Sequence, residues 1–184
     1  MKVYDYIIVG DGLAGTTLIW HLVKLDKKIL WIVDPTRPSS SRVAAGIYNP
    51  LTGKKLVKTW MADQIFPYAN DFYREVEQQV GQQFWHPMNM LRPFRSIEEQ
   101  NTYMAQAAEP TLANYIEGVA TCEEYQQVIK VSNGALEVTN SGWLDINTFL
   151  DASTAFLQEK VTRVEQSFEE QDLQVLDDKV AWNG

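Results

Sequence analysis

Three glycines near the N-terminus have the spacing of a phosphate-binding turn. Gly10, Gly12 and Gly15 directly follow the apolar run YDYIIV. Glycine at the first position permits a tight turn out of a strand, the second lets the backbone approach a pyrophosphate, and the third lets a helix pack closely on a sheet. Asp34 lies nineteen residues after Gly15, where a carboxylate can accept hydrogen bonds from ribose hydroxyls. The pattern therefore predicts a dinucleotide-binding site.

The segments that flank these residues predict a strand, a helix and a second strand. The runs YIIV and ILWIV are continuously apolar, which is typical of parallel strands buried on both faces. Between them Leu18, Leu22 and Leu25 recur at helical spacing. This context favours a dinucleotide site over a structural glycine turn with an incidental aspartate. The carboxylate of Asp34 would repel a ribose 2′-phosphate, which favours FAD or NAD over NADP, although the nearby Arg37 keeps NADP open.

Composition narrows the class of protein. The chain has 184 residues, of which 45% are hydrophobic and 22% charged, which suits one domain, or one domain and part of another. Its net charge of −8 argues against binding to nucleic acid or to an anionic membrane. The single cysteine, Cys122, excludes an internal disulfide, and with two histidines it gives no basis for a metal site. No apolar run approaches the ~18–20 residues of a membrane span and no signal-peptide pattern is present, so we expect a cytoplasmic protein.

After Asp34 the chain leaves the regular pattern of a dinucleotide-binding domain. Residues 35–58 hold three prolines, a run of three serines and five basic residues, with no sustained helical or strand period. Such a loop suits a second phosphate-contacting element, and an ordinary solvated connection is the alternative. Helices and antiparallel strands follow, so the predicted fold class is α/β, or α+β overall. The predicted elements are a helix over Ala62–Gln79, a helix opened by a capping box at Ser96, a hairpin at Asn133-Gly134, a helix that follows Asp145, and a hairpin with Asp177-Asp178 at its tip.

Residues 41–50, SRVAAGIYNP, resemble the second flavin-contacting segment of the D-amino-acid oxidase-like flavoproteins, the family of glycine oxidase and sarcosine oxidase. In that family the segment runs past the pyrophosphate and beneath the isoalloxazine ring. The resemblance implies FAD as the cofactor, and a Rossmann-like FAD-binding βαβ unit with part of an antiparallel-sheet substrate domain. The cofactor-binding residues expected from the glycine turn and from this segment are Gly10, Gly12, Leu13, Ala14, Gly15, Asp34, Ser41, Arg42, Ala45 and Gly46, with Asn49 and Pro50 as further positions.

A later segment, Gly142-Trp143-Leu144-Asp145, resembles the point where members of the family return from the substrate sheet to the FAD domain. The resemblance divides the chain into an FAD-binding unit at 1–60, a partial substrate domain at 61–141, and a return to the FAD domain at 142–184. Family members continue beyond the last hairpin into further strands. We therefore expect a fragment of a longer protein or a natural truncation, inactive by itself, whose exposed apolar surface favours self-association.

The implied function is the FAD-binding part of an oxidoreductase that oxidises an amine or amino acid at the carbon next to nitrogen. No catalytic acid or base can be identified, and His86 is either a substrate contact or a structural side chain. Lys54, Lys55 and Lys58 are either a solvated cluster or a source of positive charge beside a reduced flavin. Two other classes stay open at this point: an NAD-dependent dehydrogenase domain, and a non-catalytic nucleotide-binding module.

Overall fold

The computed structural model describes residues 2–37, 39–120, 127–128 and 133–183. The chain divides into two compact units, the first made of Met1–Ala45, Gln79–Phe84 and Ile146–Gly184, and the second of Gly46–Gln78 and Trp85–Asp145. The helices are α1 (Leu13–Lys24), α2 (Ala62–Val80), α3 (Ile97–Ala107) and α4 (Ile146–Leu157). The strands are β1 (Tyr6–Val9), β2 (Ile29–Val33), β3 (Ile47–Tyr48), β4 (Leu51–Thr52), β5 (Val57–Lys58), β6 (Trp85–Pro87), β7 (Met90–Pro93), β8 (Ile116–Ala120), β9 (Ala135–Val138), β10 (Gly142–Leu144), β11 (Thr162–Glu165), β12 (Leu173–Val175) and β13 (Val180–Trp182). Within the described ranges no helix is long and apolar enough to cross a bilayer.

The first unit contains a three-stranded parallel sheet in the order β1-β2-β11. β2 lies in the middle and all five of its residues are buried, as its continuous apolar sequence predicts. Helices α1 and α4 pack together through Trp20 of α1. Its indole N–H donates to Ser153 Oγ of α4 over 2.9 Å, and its ring stacks on that of Phe156 with ring centres 4.9 Å apart. The predicted βαβ unit, from β1 through α1 to β2, is confirmed.

β1 is more exposed than its sequence predicts. The apolar run indicates a strand buried on both faces, but Tyr6 is 44% exposed and Val9 is 48% exposed. Among the described residues β1 pairs with one strand, β2, whereas β2 pairs on both of its edges. A continuous apolar run therefore predicts membership of a parallel sheet, and it does not predict how many neighbours cover the strand.

The second unit is built from antiparallel sheets together with α3 and most of α2. Its sheets have the strand orders β3-β10-β6, β7-β9-β8 and β4-β5. The predicted capping interaction at α3 is confirmed, because Ser96 Oγ accepts the Glu99 N–H over 3.2 Å and the Glu99 carboxylate accepts the Arg95 N–H over 2.7 Å. The buried side chains of this unit form a core made of Leu51, Leu56, Ala62, Phe94, Tyr103, Leu112, Tyr115, Leu136 and Val138.

Two hairpins were predicted after residue 120. The C-terminal one is confirmed, because β12 and β13 pair antiparallel with Leu173 opposite Trp182. The other, at Asn133-Gly134, has most of its first strand outside the described residues. Gly134 has φ +79°, and β9 after it pairs with β7 and β8.

Candidate dinucleotide-binding site

The glycine turn leaves β1 with a backbone that requires glycine. Gly10 has φ +94°, in the left-handed region that L side chains rarely adopt. Its N–H donates to the Ile32 carbonyl over 2.8 Å and its carbonyl accepts the Trp31 indole N–H over 2.9 Å, so β2 holds both backbone groups of Gly10. A Cβ at Gly15 would lie 2.8 Å from the Gly10 carbonyl oxygen. The first and third glycines therefore fix the turn and let α1 start close to it.

The serine loop, residues 39–41, meets the start of α1. Gly12 precedes the helix in an extended conformation and has no side chain to cap it. Instead the Leu13 N–H donates to Ser41 Oγ over 3.0 Å, a contact between residues 28 positions apart. A Cβ at Gly12 would lie 3.2 Å from Ser41 Oγ and 3.5 Å from Ser39 Oγ. Gly12 is therefore the position at which the loop approaches the helix.

The N-terminus of α1 presents hydrogen-bond donors. The backbone N–H groups in the first turn of a helix have no acceptor within the helix, which applies to Leu13, Ala14 and Gly15. Ser41 Oγ accepts the first of these N–H groups, and its own hydroxyl hydrogen can then be donated elsewhere. These donors and the helix dipole act in the same direction. Together they favour an anion at this point.

Asp34 follows β2 as an ionised carboxylate. Its Oδ1 accepts the Thr36 N–H over 2.9 Å and the Thr36 hydroxyl over 2.6 Å, and its Oδ2 lies 3.3 Å from Arg37 Nε. These contacts, that of the Thr36 hydroxyl first, hold the pKa of the Asp34 carboxyl below its ordinary value of 3.8, with a further hydrogen bond from Ser167. Asp34 is therefore negatively charged at neutral pH, the form that accepts hydrogen bonds from ribose hydroxyls.

These elements surround one cavity of about 340 Å³. Four residues predicted to bind the cofactor line it: Gly10, Gly12, Asp34 and Ser41. Sequence reasoning did not identify Phe168, which lines the same cavity from the segment after β11. No local pattern marks Phe168, because its place depends on β11 pairing with β2.

The remaining predicted residues of the flavin-contacting segment do not line this cavity. The Arg42 guanidinium forms an ion pair with Asp151 on α4, with Nη1 2.8 Å from Oδ1. Ala45 ends the first unit and Gly46 begins the second. In the second unit Gly46 has φ +71° and its carbonyl accepts the Leu144 N–H over 3.0 Å. A contact of these three residues with a cofactor stays a prediction.

The second unit has a cavity of about 450 Å³ beside the aromatic residues of β6 and α2. Tyr48, Trp85 and Tyr73 form a stack, with ring centres 4.1 Å apart in the first pair and 4.6 Å apart in the second. Asn70 Oδ1 accepts the Trp85 indole N–H over 3.1 Å and the Arg74 Nε–H over 3.1 Å. These aromatic and amide side chains therefore contact one another beside the cavity.

Both histidines and Lys58, one of the three clustered lysines, have contacts within the protein. His21 Nδ1 lies 2.6 Å from the Thr17 carbonyl oxygen within α1. The His86 ring stacks on Trp143 with ring centres 4.1 Å apart. Lys58 Nζ lies 2.5 Å from an Asp63 carboxylate oxygen. None of these contacts identifies a catalytic acid or base.

A parallel βαβ unit with a glycine turn is typical of dinucleotide-binding proteins, and here it is joined to a unit of antiparallel sheets. The sequence profile of the FAD dependent oxidoreductase family, DAO, matches residues 5–181. The chain belongs to this family, whose cofactor is FAD. The resemblance to D-amino-acid oxidase-like flavoproteins, and FAD as the expected cofactor, are thereby confirmed.

Individual relatives show how far the likeness extends. The chain is 24% identical over 183 residues to the tRNA 5-methylaminomethyl-2-thiouridine biosynthesis bifunctional protein MnmC of Actinobacillus pleuropneumoniae serotype 5b (strain L20), a match that covers 97% of this chain and 27% of that protein. The fold of the present chain is similar to that of glycine oxidase from Bacillus cereus ATCC 14579. The TM-score is 0.72, the sequence identity is 16%, and the match covers 97% of this chain and 50% of the glycine oxidase chain. It is also similar to iminodiacetate oxidase (IdaA) from Chelativorans sp. BNC1, with a TM-score of 0.69, 13% identity, and coverage of 95% and 49%. The chain thus spans about a quarter of the curated relative and about half of each solved one.

Proposed function

We propose that the cavity of the first unit binds the ADP portion of FAD. The observation that carries this proposal is a single cavity at the start of α1 that is lined by Ser41, Gly12 and the ionised Asp34. The helix N–H groups and the Ser41 hydroxyl would bind the pyrophosphate, and Asp34 would bind ribose hydroxyls. The missing Cβ at Gly12 leaves room for both the serine loop and a phosphate. These residues fit the group that the family uses.

The charges around Asp34 support FAD over a 2′-phosphorylated nucleotide. The Asp34 carboxylate is negative at neutral pH because hydrogen bonds lower its pKa. Arg37 is the cation that left NADP as a possible ligand. It is shared between two carboxylates: its Nε lies 3.3 Å from an Asp34 carboxylate oxygen and its Nη2 lies 3.6 Å from a Glu169 carboxylate oxygen. These contacts offset part of the positive charge that Arg37, which lines the cavity, could offer to a 2′-phosphate. The family itself argues against an NAD-dependent dehydrogenase.

The reaction that we propose for the protein is oxidation of an amine or amino acid at the carbon next to nitrogen. Bound FAD would supply the hydride acceptor for this chemistry. Support comes from the family and from the names of the solved proteins of similar fold, which include glycine oxidase, iminodiacetate oxidase and L-proline dehydrogenase. The residues of this chain would bind and orient the cofactor. We assign no catalytic acid or base, and we expect these 184 residues to bind FAD without efficient turnover.

We further propose a cytoplasmic protein that takes a small-molecule substrate and does not bind nucleic acid. The net charge of −8 and the single cysteine support these proposals. Self-association is proposed on exposed apolar side chains, among them Trp60 at 79% and Tyr6 at 44% exposure.

The proposed cofactor can be tested with the purified chain. An absorbance spectrum should show flavin bands near ~370 and ~450 nm, a general property of flavin chemistry. Isothermal titration of the flavin-free chain should show binding of FAD and ADP, and weaker binding of NADP. A chain with neither flavin bands nor affinity for ADP would contradict the proposal.

The proposed reaction needs a separate assay. Hydrogen peroxide release or dye reduction should be measured with glycine, sarcosine, proline and D-amino acids, using the flavin-loaded chain. We expect little turnover by the 184 residues alone. Robust turnover would contradict that expectation and would identify the substrate class directly.

A further inference from the structure

Arg42 is held by α4 through both its side chain and its backbone. Nη1 of its guanidinium lies 2.8 Å from Asp151 Oδ1 and donates to Asn147 Oδ1 over 3.4 Å. The Asn147 side-chain amide in turn donates to the Arg42 carbonyl over 3.3 Å. Asn147 lies in the first turn of α4 and Asp151 one turn further along the helix. Arg42 is thus attached to one face of α4.

The serine loop is attached to α1 at the preceding residue. Ser41 Oγ accepts the Leu13 N–H, and the turn around Ser41 is closed by the Arg42 N–H, which donates to the Ser39 carbonyl over 3.1 Å. The Ala44 N–H donates to the Ser41 carbonyl over 3.2 Å. Residues 39–44 therefore form a hydrogen-bonded turn, so that a restraint on Arg42 is passed to the adjacent Ser41.

The two attachment points are fixed relative to each other. The buried hydrogen bond from Trp20 to Ser153 and the stacking of Trp20 on Phe156 join α1 to α4. A loop attached to both helices therefore has little freedom to move its serine hydroxyl away from the helix N-terminus.

We propose that Arg42, together with Asn147 and Asp151, is a positioning residue that holds the Ser41 hydroxyl at the N-terminus of α1. This inference rests on the proposed function, because the purpose of the positioned hydroxyl is to bind the cofactor pyrophosphate. The Arg42 side chain is 34% exposed and that of Asp151 69% exposed, so their ion pair contributes little to the stability of the fold. Its effect appears instead in the order of the loop and in ligand affinity.

The first experiment needs no cofactor. Amide hydrogen exchange of the ligand-free chain should show ~5-fold or faster exchange of the Leu13 N–H in Arg42→Ala, because Ser41 Oγ no longer stays in place as its acceptor. The matched control is Lys27→Ala, which removes one exposed positive charge between α1 and β2 and should leave exchange at Leu13 unchanged. Unchanged protection of Leu13 in Arg42→Ala overturns the inference.

The second experiment is a double-mutant cycle on FAD affinity. Arg42→Ala should weaken FAD binding by ~5-fold in the wild-type background and by less than ~2-fold in the Ser41→Ala background, because Arg42 acts through Ser41. The paired exchange of Arg42→Asp with Asp151→Arg should restore most of the affinity. Equal losses in both backgrounds, without rescue by the charge exchange, would show a direct contact between Arg42 and the cofactor and overturn the inference. A wild-type chain that binds neither FAD nor ADP overturns the proposed function. The amide hydrogen-exchange experiment at Leu13 alone then decides whether Arg42 holds Ser41.

Discussion

The cavity at the N-terminus of α1 and the larger cavity of the second unit differ in the groups that line them. The second-unit cavity beside Tyr48 and Trp85 is about 450 Å³, and the first-unit cavity at the N-terminus of α1 is about 340 Å³. Amides around the larger cavity donate within the protein: Asn89 Nδ2 to Glu137 Oε1 over 2.8 Å, and Asn140 Nδ2 to the Asn114 carbonyl over 3.1 Å. Burial raises the pKa of Tyr48 to about 12, so its phenol stays neutral at physiological pH.

The smaller cavity has the opposite character. It lies at a helix N-terminus whose first N–H groups lack intrahelical acceptors, and it contains the ionised carboxylate of Asp34. Ser41 accepts one of those N–H groups and can still donate its own hydroxyl hydrogen. A carboxylate lines each cavity, Asp71 in the larger and Asp34 in the smaller, so the helix N–H donors are what distinguish the cavity proposed to bind the nucleotide, and cavity volume does not.

The largest effect on affinity is expected from Gly12→Val. A Cβ at this position already lies 3.2 Å from Ser41 Oγ, and the γ-methyl groups of valine would extend into the space of the serine loop and of the pyrophosphate. FAD affinity measured by isothermal titration should fall by at least ~100-fold, ~3 kcal/mol. The FAD affinity of Gly12→Ala should lie between that of the wild type and that of Gly12→Val. Thermal melting should confirm that both variants fold. Unchanged affinity in folded Gly12→Val would refute the site.

Asp34→Ala should have the next largest effect. The variant removes the negative charge proposed to bind ribose hydroxyls, so we expect FAD and ADP affinity to fall by roughly 10- to 100-fold. The affinity for NADP should fall less, because repulsion of a 2′-phosphate is removed at the same time. Asp177→Ala, which removes an exposed carboxylate at the tip of the C-terminal hairpin, is the matched control. A wild-type chain that binds NADP more tightly than FAD would contradict the assigned role of Asp34.

Ser41→Ala should have a moderate effect. The variant removes a neutral hydroxyl that accepts the Leu13 N–H and is proposed to donate to a phosphate. A neutral hydrogen bond contributes ~0.5–1.5 kcal/mol of binding free energy, so FAD affinity should fall by roughly 2- to 13-fold. Ser40→Ala, in the same loop, is the natural comparison. If Ser40→Ala weakened binding more than Ser41→Ala, the contact with Leu13 would not be the one that matters.

The pH dependence of stability should show a smaller effect of Asp34. Because its pKa in the folded chain is below the ordinary 3.8, the ionised group stabilises the fold above that pH. This stabilisation is lost as the pH falls through the lowered pKa. Thermal melting of wild type and Asp34→Asn should therefore differ between about pH 5 and 8 and converge below the ordinary pKa. A difference that grows on acidification would show that the carboxylate is not stabilised by Thr36 and Arg37.

The local parts of the site could be predicted from the sequence, and the distant parts could not. Gly10, Gly12 and Asp34 lie within one βαβ unit, so their spacing along the chain reports their geometry. Phe168 reaches the cavity only because β11 pairs with β2. Ser41 was predicted to bind the cofactor from a resemblance to a family, because no spacing rule relates it to the glycine turn.

Arg42 shows the same limit in another form. Its partners Asn147 and Asp151 lie on α4, with Asn147 105 positions away in the chain, so no local pattern predicts these contacts. Likewise the apolar sequence of β1 resembles that of β2, yet β1 has one neighbour among the described strands. The fold class followed from local patterns, whereas the domain bounds at 60 and 141 stay a prediction.

The smallest effect on affinity is expected from Trp85→Phe in the second unit. Trp85 is 5% exposed, stacks between Tyr48 and Tyr73, and donates its indole N–H to Asn70. Phenylalanine keeps an aromatic ring in the stack but loses this hydrogen bond, so the free energy of unfolding should fall by about 1 kcal/mol. Isothermal titration should give the wild-type affinity for FAD within about 2-fold, because the groups proposed to bind ADP belong to the first unit. A loss of affinity comparable to that of Asp34→Ala, without loss of folded protein, would mean that the aromatic cavity takes part in cofactor binding. The contrast between a cavity that binds the cofactor and one whose lining side chains only pack against one another would then be wrong.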